Sequence, residues 1–419
     1  MNTCPFSNAL DPETFAEGMP YQELKEIRAA GPILRMEDPI TDIPYWLVTQ
    51  RKELDFVSKN PKLFSSAENL AFPMEMDDDI KFMLQQQIIN MDPPNHQKYR
   101  KIIRRAFTPA AVDSYEPAFR AHAERILDAV TNNGECEFVE DVAAELPLIA
   151  ILDLLGVPAD DREDFFHWTN TMIFADDPDM STSREEGQIA AFEVITYANN
   201  LAEQHKINPK NDLVGALLDG AVAGEALSQE EFCWFFVLLL VGGNESTRTV
   251  TAQGMRLLME NPLQLQYLVD NPDKIAGATE EILRYSTAFI TMRRTAMEDI
   301  ELGGQLIKQG DKVILHYHSV NHDENIFGSD ACEFDVTRPE RMPDLYNQHR
   351  SFGIGQHFCI GSHLARLELR VMFEAIIPRL RNPRLKSKPK FVRSYFVNAM
   401  KEMQISFDTN GSAKLRADT

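Results

Sequence analysis

The longest run of hydrophobic positions, Phe232 to Gly243, follows directly on Ser228-Gln-Glu-Glu231. Serine with glutamate three residues later is the capping-box start of a helix, and helical character continues to Glu260, just before Pro262. About 30 residues at 1.5 Å each make a helix of about 45 Å. Its first half is apolar on every face, which predicts burial through the middle of the molecule. The pattern then breaks into Gly242-Gly243-Asn244-Glu245-Ser246-Thr247. Each interior glycine costs about 1 kcal/mol against alanine, and a glutamate beside a buried stretch is expensive without partners. Either the helix enters solvent at Asn244, or the break is a groove whose polar groups face a ligand.

Elsewhere the pattern is mostly helical from about Pro109 to Met259, as in FRAHAERILDAVTNN ending at Gly134. Strand-like pieces are few: Tyr45–Thr49 early on, then DIELGG, QLIKQGDKVILHY and MQISF after Phe289. Helix returns from about Gly361 to Leu380. Long helices with a minority of short strands predict a mainly α protein with small sheets.

Charge and cysteine usage narrow the function. The 419 residues carry 42 Lys+Arg against 64 Asp+Glu, a net charge of -22. That argues against nucleic-acid binding, which needs a basic surface, and against an electrostatic membrane anchor. Five widely spaced cysteines without a CxxC pair disfavour a disulfide framework or a structural zinc site. The N-terminus MNTCPFSNALDPETF has no basic or apolar leader region, and no apolar run approaches the roughly 20 residues of a membrane span. A cytoplasmic protein is expected.

The strongest chemical signal is Ser351-Phe-Gly-Ile-Gly-Gln-His-Phe-Cys-Ile-Gly361. Gly353, Gly355 and Gly361 allow positive φ and close approach to a flat partner. Cys359 ends this turn-rich stretch just before a helix, where backbone N–H groups favour a thiolate. Such a thiolate suits an axial haem iron ligand. A lone cysteine is more often a packing residue, but F-G-x-G-x-H-x-C-x-G specifies too much to arise by chance.

At these residues the chain resembles the cytochrome P-450 family, over almost its whole length. The resemblance implies one haem domain spanning 1–419, a helix-rich prism with β-containing parts near 30–65, 289–320 and 385–410. Haem b would lie between the long helix and the cysteine loop, with Cys359 as iron ligand and Phe352 packed near its sulfur. His357, His96, Arg100 and Arg294 would serve the haem propionates, with Arg293 competing with Arg294, and Gly361 completes the cofactor loop. Met91-Asp-Pro-Pro-Asn-His96 through Arg100, then Phe107-Thr-Pro109, resembles a second family segment. Glu281-Ile-Leu-Arg284 resembles the family's structural ExxR pair, tied to the loop carrying Arg338.

The break in the long helix matches the family's oxygen-activating motif. Glu245 would pass protons inward and the Ser246 hydroxyl would order a water. Serine stands where threonine is usual, with Thr247 as the substitute hydroxyl. The resemblance implies a monooxygenase that hydroxylates a hydrophobic molecule with dioxygen and two electrons from separate carriers, a ferredoxin and its reductase. A monomer is expected. The basic stretch around Lys98, Lys101, Arg104 and Arg105 would help dock an acidic carrier; otherwise it meets only propionates and solvent.

Candidate pocket positions on the long helix are Val237, Leu238, Val241 and Gly242. Others are Phe289 and Ile290, Phe396 and Val397, and parts of Leu70–Ile89. Met74, Met76 and Met83 suggest an adaptable lid, and Trp168–Phe174 with Asp176-Asp-Pro178 a roof. The stretches GGNESTR, MRRTAMED and FVNAMKEM resemble a bacterial branch that oxidises terpenoid alcohols, alkyl or fatty chains and steroid side chains. Two alternatives remain open: a haem-binding sensor or carrier without turnover, and a peroxygenase, isomerase or dehydratase on the same fold.

Overall fold

A computed structural model describes residues 9–173, 183–210, 213–219 and 226–409. The helices that build the site are α1 (Asn95–Ile103), α2 (Glu145–Leu154), α3 (Arg162–Ile173), α4 (Arg184–Ile207), α5 (Gln229–Glu260), α6 (Ile275–Ser286) and α7 (Ser362–Arg379). Helix α5 has 32 residues, roughly 48 Å. Its capping box is complete: Glu231 N–H donates to Ser228 Oγ (3.2 Å), and Ser228 N–H donates to the Glu231 carboxylate (2.7 Å). It packs against α2, α4, α6 and α7, so its apolar first half is covered on nearly all sides. Asn244 and Glu245, at the break, are buried as well. The helix therefore does not enter solvent there.

Five short strands form the principal sheet: β1 (Ile33–Glu37), β2 (Pro44–Val48), β3 (Phe64–Ser65), β4 (Thr291–Ala296) and β5 (Lys312–His316), in the order β1-β2-β5-β4-β3. β2 and β5 run parallel and the other pairs antiparallel. The early and late β-rich parts are thus one sheet. QLIKQGDKVILHY is not a single strand: it splits into Gln305–Ile307 and Lys312–His316 around Gly310, whose φ of 88° turns the chain. The C-terminal strand Gln404–Asp408 lies between Arg381–Leu385 and Glu135–Glu137 and pairs antiparallel with both. No helix among the described residues is long and apolar enough to cross a membrane.

One buried ionic knot ties α6 to the cysteine loop. Glu281 accepts from Arg284 Nε (2.7 Å) and Arg338 Nε (3.1 Å), and all three side chains have no exposure. Arg284 also donates to the carbonyls of Asn321 (2.6 Å) and Ala331 (2.8 Å). Asn321 in turn accepts from Arg350 N–H (2.6 Å) and donates to Ser351 Oγ (3.0 Å), at the start of the loop. Ser351 Oγ donates to the Leu283 carbonyl (2.7 Å). The ExxR pair therefore sets where the loop begins.

Candidate active site

The loop presents Cys359 to an internal space. The thiol has accessible surface, yet enough protein surrounds it that burial pushes its pKa up; the Gly361 N–H and the guanidinium groups of Arg100 and Arg366 pull the other way. Cys359 N–H donates to the Phe352 carbonyl (2.9 Å), and the Phe352 ring lies under Arg366 (4.5 Å). Gly355 has φ 77°, and a Cβ there would strike the Ser58 carbonyl oxygen at 2.5 Å, so no side chain fits. Gly361 differs from expectation: its φ is -84°. What it supplies is room, since a Cβ would lie 3.9 Å from the Cys359 sulfur.

Four basic side chains gather beside the loop. His96 and His357 have ring centroids 4.3 Å apart. His96 is pushed down to about 4, by burial first and then by Arg100 and Arg294. His357 is pushed down to about 2 by burial, Arg294, His96 and Arg100. Arg100 donates to the Phe358 carbonyl (2.5 Å), and Arg294 to the Arg293 carbonyl (2.6 Å). Neither forms an ion pair within 4.0 Å among the described residues, and the buried His96 Nδ1 has no hydrogen-bond partner. Arg293, the competitor, is committed elsewhere: it pairs with Glu75 at 2.9 Å. Adjacent strand residues point to opposite faces, which separates the two arginines. Two guanidinium groups without an ion-pair partner within 4.0 Å among the described residues, beside two neutral imidazoles able to donate N–H, fit a ligand that brings two carboxylates, as haem does.

Trp234, Leu238, Val241, Gly242 and Ser246 keep accessible surface along one stripe of α5, with Gly243 keeping some beside it. Their spacing of three and four marks one helix face. The two glycines act oppositely. A Cβ on Gly242 meets nothing within 4 Å, whereas one on Gly243 would lie 2.6 Å from Ile151 of α2. Gly242 opens the groove and Gly243 permits close helix packing. Ser246 Oγ donates to the Gly242 carbonyl (3.0 Å). Thr247 is buried, and its hydroxyl donates to the Gly243 carbonyl (3.4 Å). It follows Gly243 into the core, so Thr247 does not reach the groove.

Glu245 is buried and its pKa is raised by that burial, against the pull of Arg248 and the Thr249 hydroxyl. Thr249 donates to Oε1 (3.1 Å), and Arg248 Nη1 stands 3.8 Å from Oε2. Arg248 also donates to Asn170 of α3 (2.8 Å). Sequence reasoning missed Arg248, although its i, i+3 spacing from Glu245 was a readable signal.

The other pocket candidates divide. Leu238, Val241, Phe289, Phe396 and Val397 are half-buried, whereas Val237 belongs to the main core and Ile290 has no exposure. Ile290 follows Phe289 along extended chain, so its side chain faces the other way and does not line the space. Phe72 joins the wall, with its ring 5.7 Å from Phe396, and Phe396 lies 5.2 Å from Phe289. The Met74–Met76 stretch is pinned by Glu75, which reaches Arg293 (2.9 Å) and buried Lys312 (3.0 Å). Ala71 is tied on both sides, its carbonyl accepting from Arg293 N–H (2.8 Å) and its N–H donating to Asn90 Oδ1 (2.9 Å). Met83 is exposed. Trp168 packs on Phe165 in α3 (5.1 Å); Phe174 and Asp176-Asp-Pro178 lie outside the described residues. Lys98, Lys101 and Arg104 are exposed on one side of α1 and its continuation, and the Arg105 side chain lies outside the description.

The helix-rich fold with small sheets and the glycine-shaped loop around Cys359 point to a haem-thiolate protein. The cytochrome P450 family model matches residues 187–407. A steroid C26-monooxygenase of Rhodococcus jostii is 38% identical over 95% of this chain and 84% of its own. A linalool 8-monooxygenase of Pseudomonas putida is 34% identical over 94% and 97%. A Mycobacterium marinum cytochrome P450 in complex with pseudoionone superimposes with a TM-score of 0.84, at 33% identity over 92% and 94% of the two chains. The chain belongs to the cytochrome P450 family. It is a haem-thiolate monooxygenase that carries haem b, hydroxylates hydrophobic molecules and draws on redox partners and dioxygen.

Proposed function

We propose that Cys359 ligates the haem iron, that His96, Arg100, Arg294 and His357 hold its propionates, and that the Gly242–Ser246 groove is the reaction site. The observation that carries this is the accessible Cys359 thiol on a glycine-formed loop beside Arg100 and Arg294, which lack an ion-pair partner within 4.0 Å among the described residues, and the imidazoles of His96 and His357. Bound there, haem supplies oxygen activation and transfer to carbon, and the thiolate supplies electron push. The chain's own residues do the rest. Glu245, whose pKa burial raises, is placed to pass a proton inward; Arg248 positions its carboxyl. Ser246 can turn its hydroxyl from the Gly242 carbonyl toward the groove and order a water there. The apolar stripe of α5 and the Phe72–Phe396–Phe289 wall exclude bulk water.

The test is the carbon monoxide difference spectrum of the dithionite-reduced protein. The far-red Soret band of thiolate ligation is expected, with its loss in Cys359→His; a histidine-type band in the unaltered chain overturns the assignment.

The substrate reading follows from chemistry shared with the relatives. Position 26 of a steroid and position 8 of linalool are both ends of a carbon chain. The enzyme hydroxylates near the end of a methyl-branched, terpenoid-like or steroid side chain, in a largely apolar chamber. It works as a monomer, with electrons from a ferredoxin and its reductase.

Ser246→Ala lowers product formed per electron and raises peroxide release, whereas Thr247→Val leaves both unchanged because Thr247 is turned into the core. Glu245→Gln slows turnover by about 100-fold, the scale of a lost general acid. Equal coupling in Ser246→Ala and wild type, measured as product against reductant consumed, refutes the role of Ser246.

Lys98, Lys101 and Arg104 form no ion pair within 4.0 Å among the described residues, so their charge is available to an acidic carrier. Lys101→Glu with Arg104→Glu slows electron transfer about tenfold at low salt and flattens its salt dependence. Unchanged stopped-flow rates across a salt series refute docking there.

A further inference from the structure

Asn398 is 6% exposed and uses every polar group it has. Its backbone N–H donates to the Ala288 carbonyl (2.8 Å) and its Nδ2 to the Ser286 carbonyl (2.5 Å). Its own carbonyl and its Oδ1 both accept from Gln253 Nε2, at 2.8 and 3.1 Å. Gln253 is 2% exposed, and its Oε1 accepts from Arg256 Nε (3.0 Å). Nothing in the reaction chemistry calls for this buried amide pair. Its neighbours give it meaning. Ile290 N–H donates to the Phe396 carbonyl (2.8 Å), and Val397 pairs with Phe289 across an antiparallel bridge. The half-buried Phe289, Phe396 and Val397 are therefore zipped into one wall, and Gln253 is where that wall meets α5.

Gln253 lies seven residues beyond Ser246. Seven residues are two turns, about 10 Å along the axis, and return to nearly the same helix face. One rigid helix thus carries the oxygen groove and, two turns on, the bracket for the wall. We propose that the Gln253–Asn398 amide pair is a positioning device that sets the distance of the Phe396–Val397 wall from the groove, and so selects the length of hydrocarbon chain the chamber accepts. This rests on the reading of the groove as the reaction site. A side-chain amide bonded twice to one loop residue fixes both the height and the rotation of that residue, which a single bond or an apolar contact does not.

The experiment compares Asn398→Ala, Gln253→Glu, Gln253→Met and the double variant Asn398→Ala/Gln253→Met with wild type. Gln253→Glu keeps the acceptor for Arg256 but sets a carboxylate oxygen against the two acceptor oxygens of Asn398, so it breaks the bracket by repulsion, whereas Gln253→Met breaks it without adding charge. Two readouts are taken. In amide hydrogen exchange, Ile290 and Asn398 exchange at least about tenfold faster in each variant, while amides in the middle of α7 are unchanged. In optical titration with n-alkylimidazoles from butyl to dodecyl, the imidazole anchors at the iron and the tail probes the chamber. Butylimidazole binds within about twofold of wild type, and the long-tailed members lose about tenfold or more, roughly 1.4 kcal/mol. The double variant is no worse than the more severe single one, because both remove the same contact. Unchanged exchange overturns the bracket. An equal loss of affinity at every tail length overturns the selectivity and leaves a structural role. A wild-type protein without the thiolate carbon monoxide band overturns the reading of the reaction site instead, and the exchange measurement still decides the bracket.

Discussion

Glu281→Gln is expected to yield little folded, haem-loaded protein. Glu281 receives Arg284 Nε and Nη2 (2.7 and 2.8 Å), Arg338 Nε (3.1 Å) and Asp335 N–H (3.1 Å). Neutralising it leaves Arg284 without a carboxylate partner at zero exposure. Breaking such a buried pair costs about 3–5 kcal/mol, a large share of the 5–15 kcal/mol that holds a typical domain together. The damage also reaches the cofactor loop, because Arg284 fixes Asn321, and Asn321 fixes Arg350 and Ser351. The exposed pair Lys308–Asp299 (58% and 53% side-chain exposure) is the control; Asp299→Asn leaves the midpoint close to that of wild type. Guanidinium melts and haem content check both, and a Glu281→Gln midpoint close to that of wild type refutes the expectation.

The second large effect is loss of stability in mild acid. His316, His318 and His322 are wholly buried, and the rings of His318 and His322 stack at 4.4 Å. Burial pushes His316 down to about 3, with Arg28 adding to it. His318 and His322 are pushed well below the usual range, by burial first, then by each neighbouring imidazole and by Arg28 and Arg284. Tyr21 and Tyr285 close the other sides, with rings 5.1 Å apart. The folded pKa values lie below the unfolded value near 6.5, so unfolding takes up protons. This contribution is fully present above about pH 6.5 and is lost as pH falls, by up to about 1.4 kcal/mol per pH unit for each histidine. Urea melts between pH 7 and pH 5 should show the steep decline, and His318→Phe should flatten it by about a sixth, since His96, His349 and His357 are depressed as well. A stability that is level across that range contradicts neutral burial of the cluster.

What the sequence made legible was local. The Ser228 capping box, the apolar first half of α5, the cysteine loop and the ExxR pair are patterns within a few residues, where geometry follows from spacing. Pairings set by the tertiary fold were not legible. Arg248 meets Asn170 across 78 residues, Gln253 meets Asn398 across 145, and Arg293 meets Glu75 across 218. No periodicity announces such partners. Between these extremes lie Ile290 and Val237, each next to a half-buried position. Choosing Phe289 over Ile290, or Leu238 over Val237, requires the phase of a strand or helix, and that phase is fixed only once the element has docked. Gly242 and Gly243 make the same point: identical residues side by side, one facing open space and the other a neighbouring helix.

The two-ended fastening of the segment after β3 has a consequence for how this chain can diversify. Glu75 and Ala71 hold one end to the sheet, and buried Asn90 holds the other, donating to the Leu84 carbonyl (2.9 Å) as it accepts from Ala71. Between them Asp78–Leu84 forms a short helix with no buried residue, so insertions at Met76–Asp77, just before it, are absorbed as surface chain, since lengthening a loop costs little entropy. Descendants of this sequence can therefore trade the exposed Phe82 and Met83 freely, while the sheet, the knot at Glu281 and the cysteine loop keep their register.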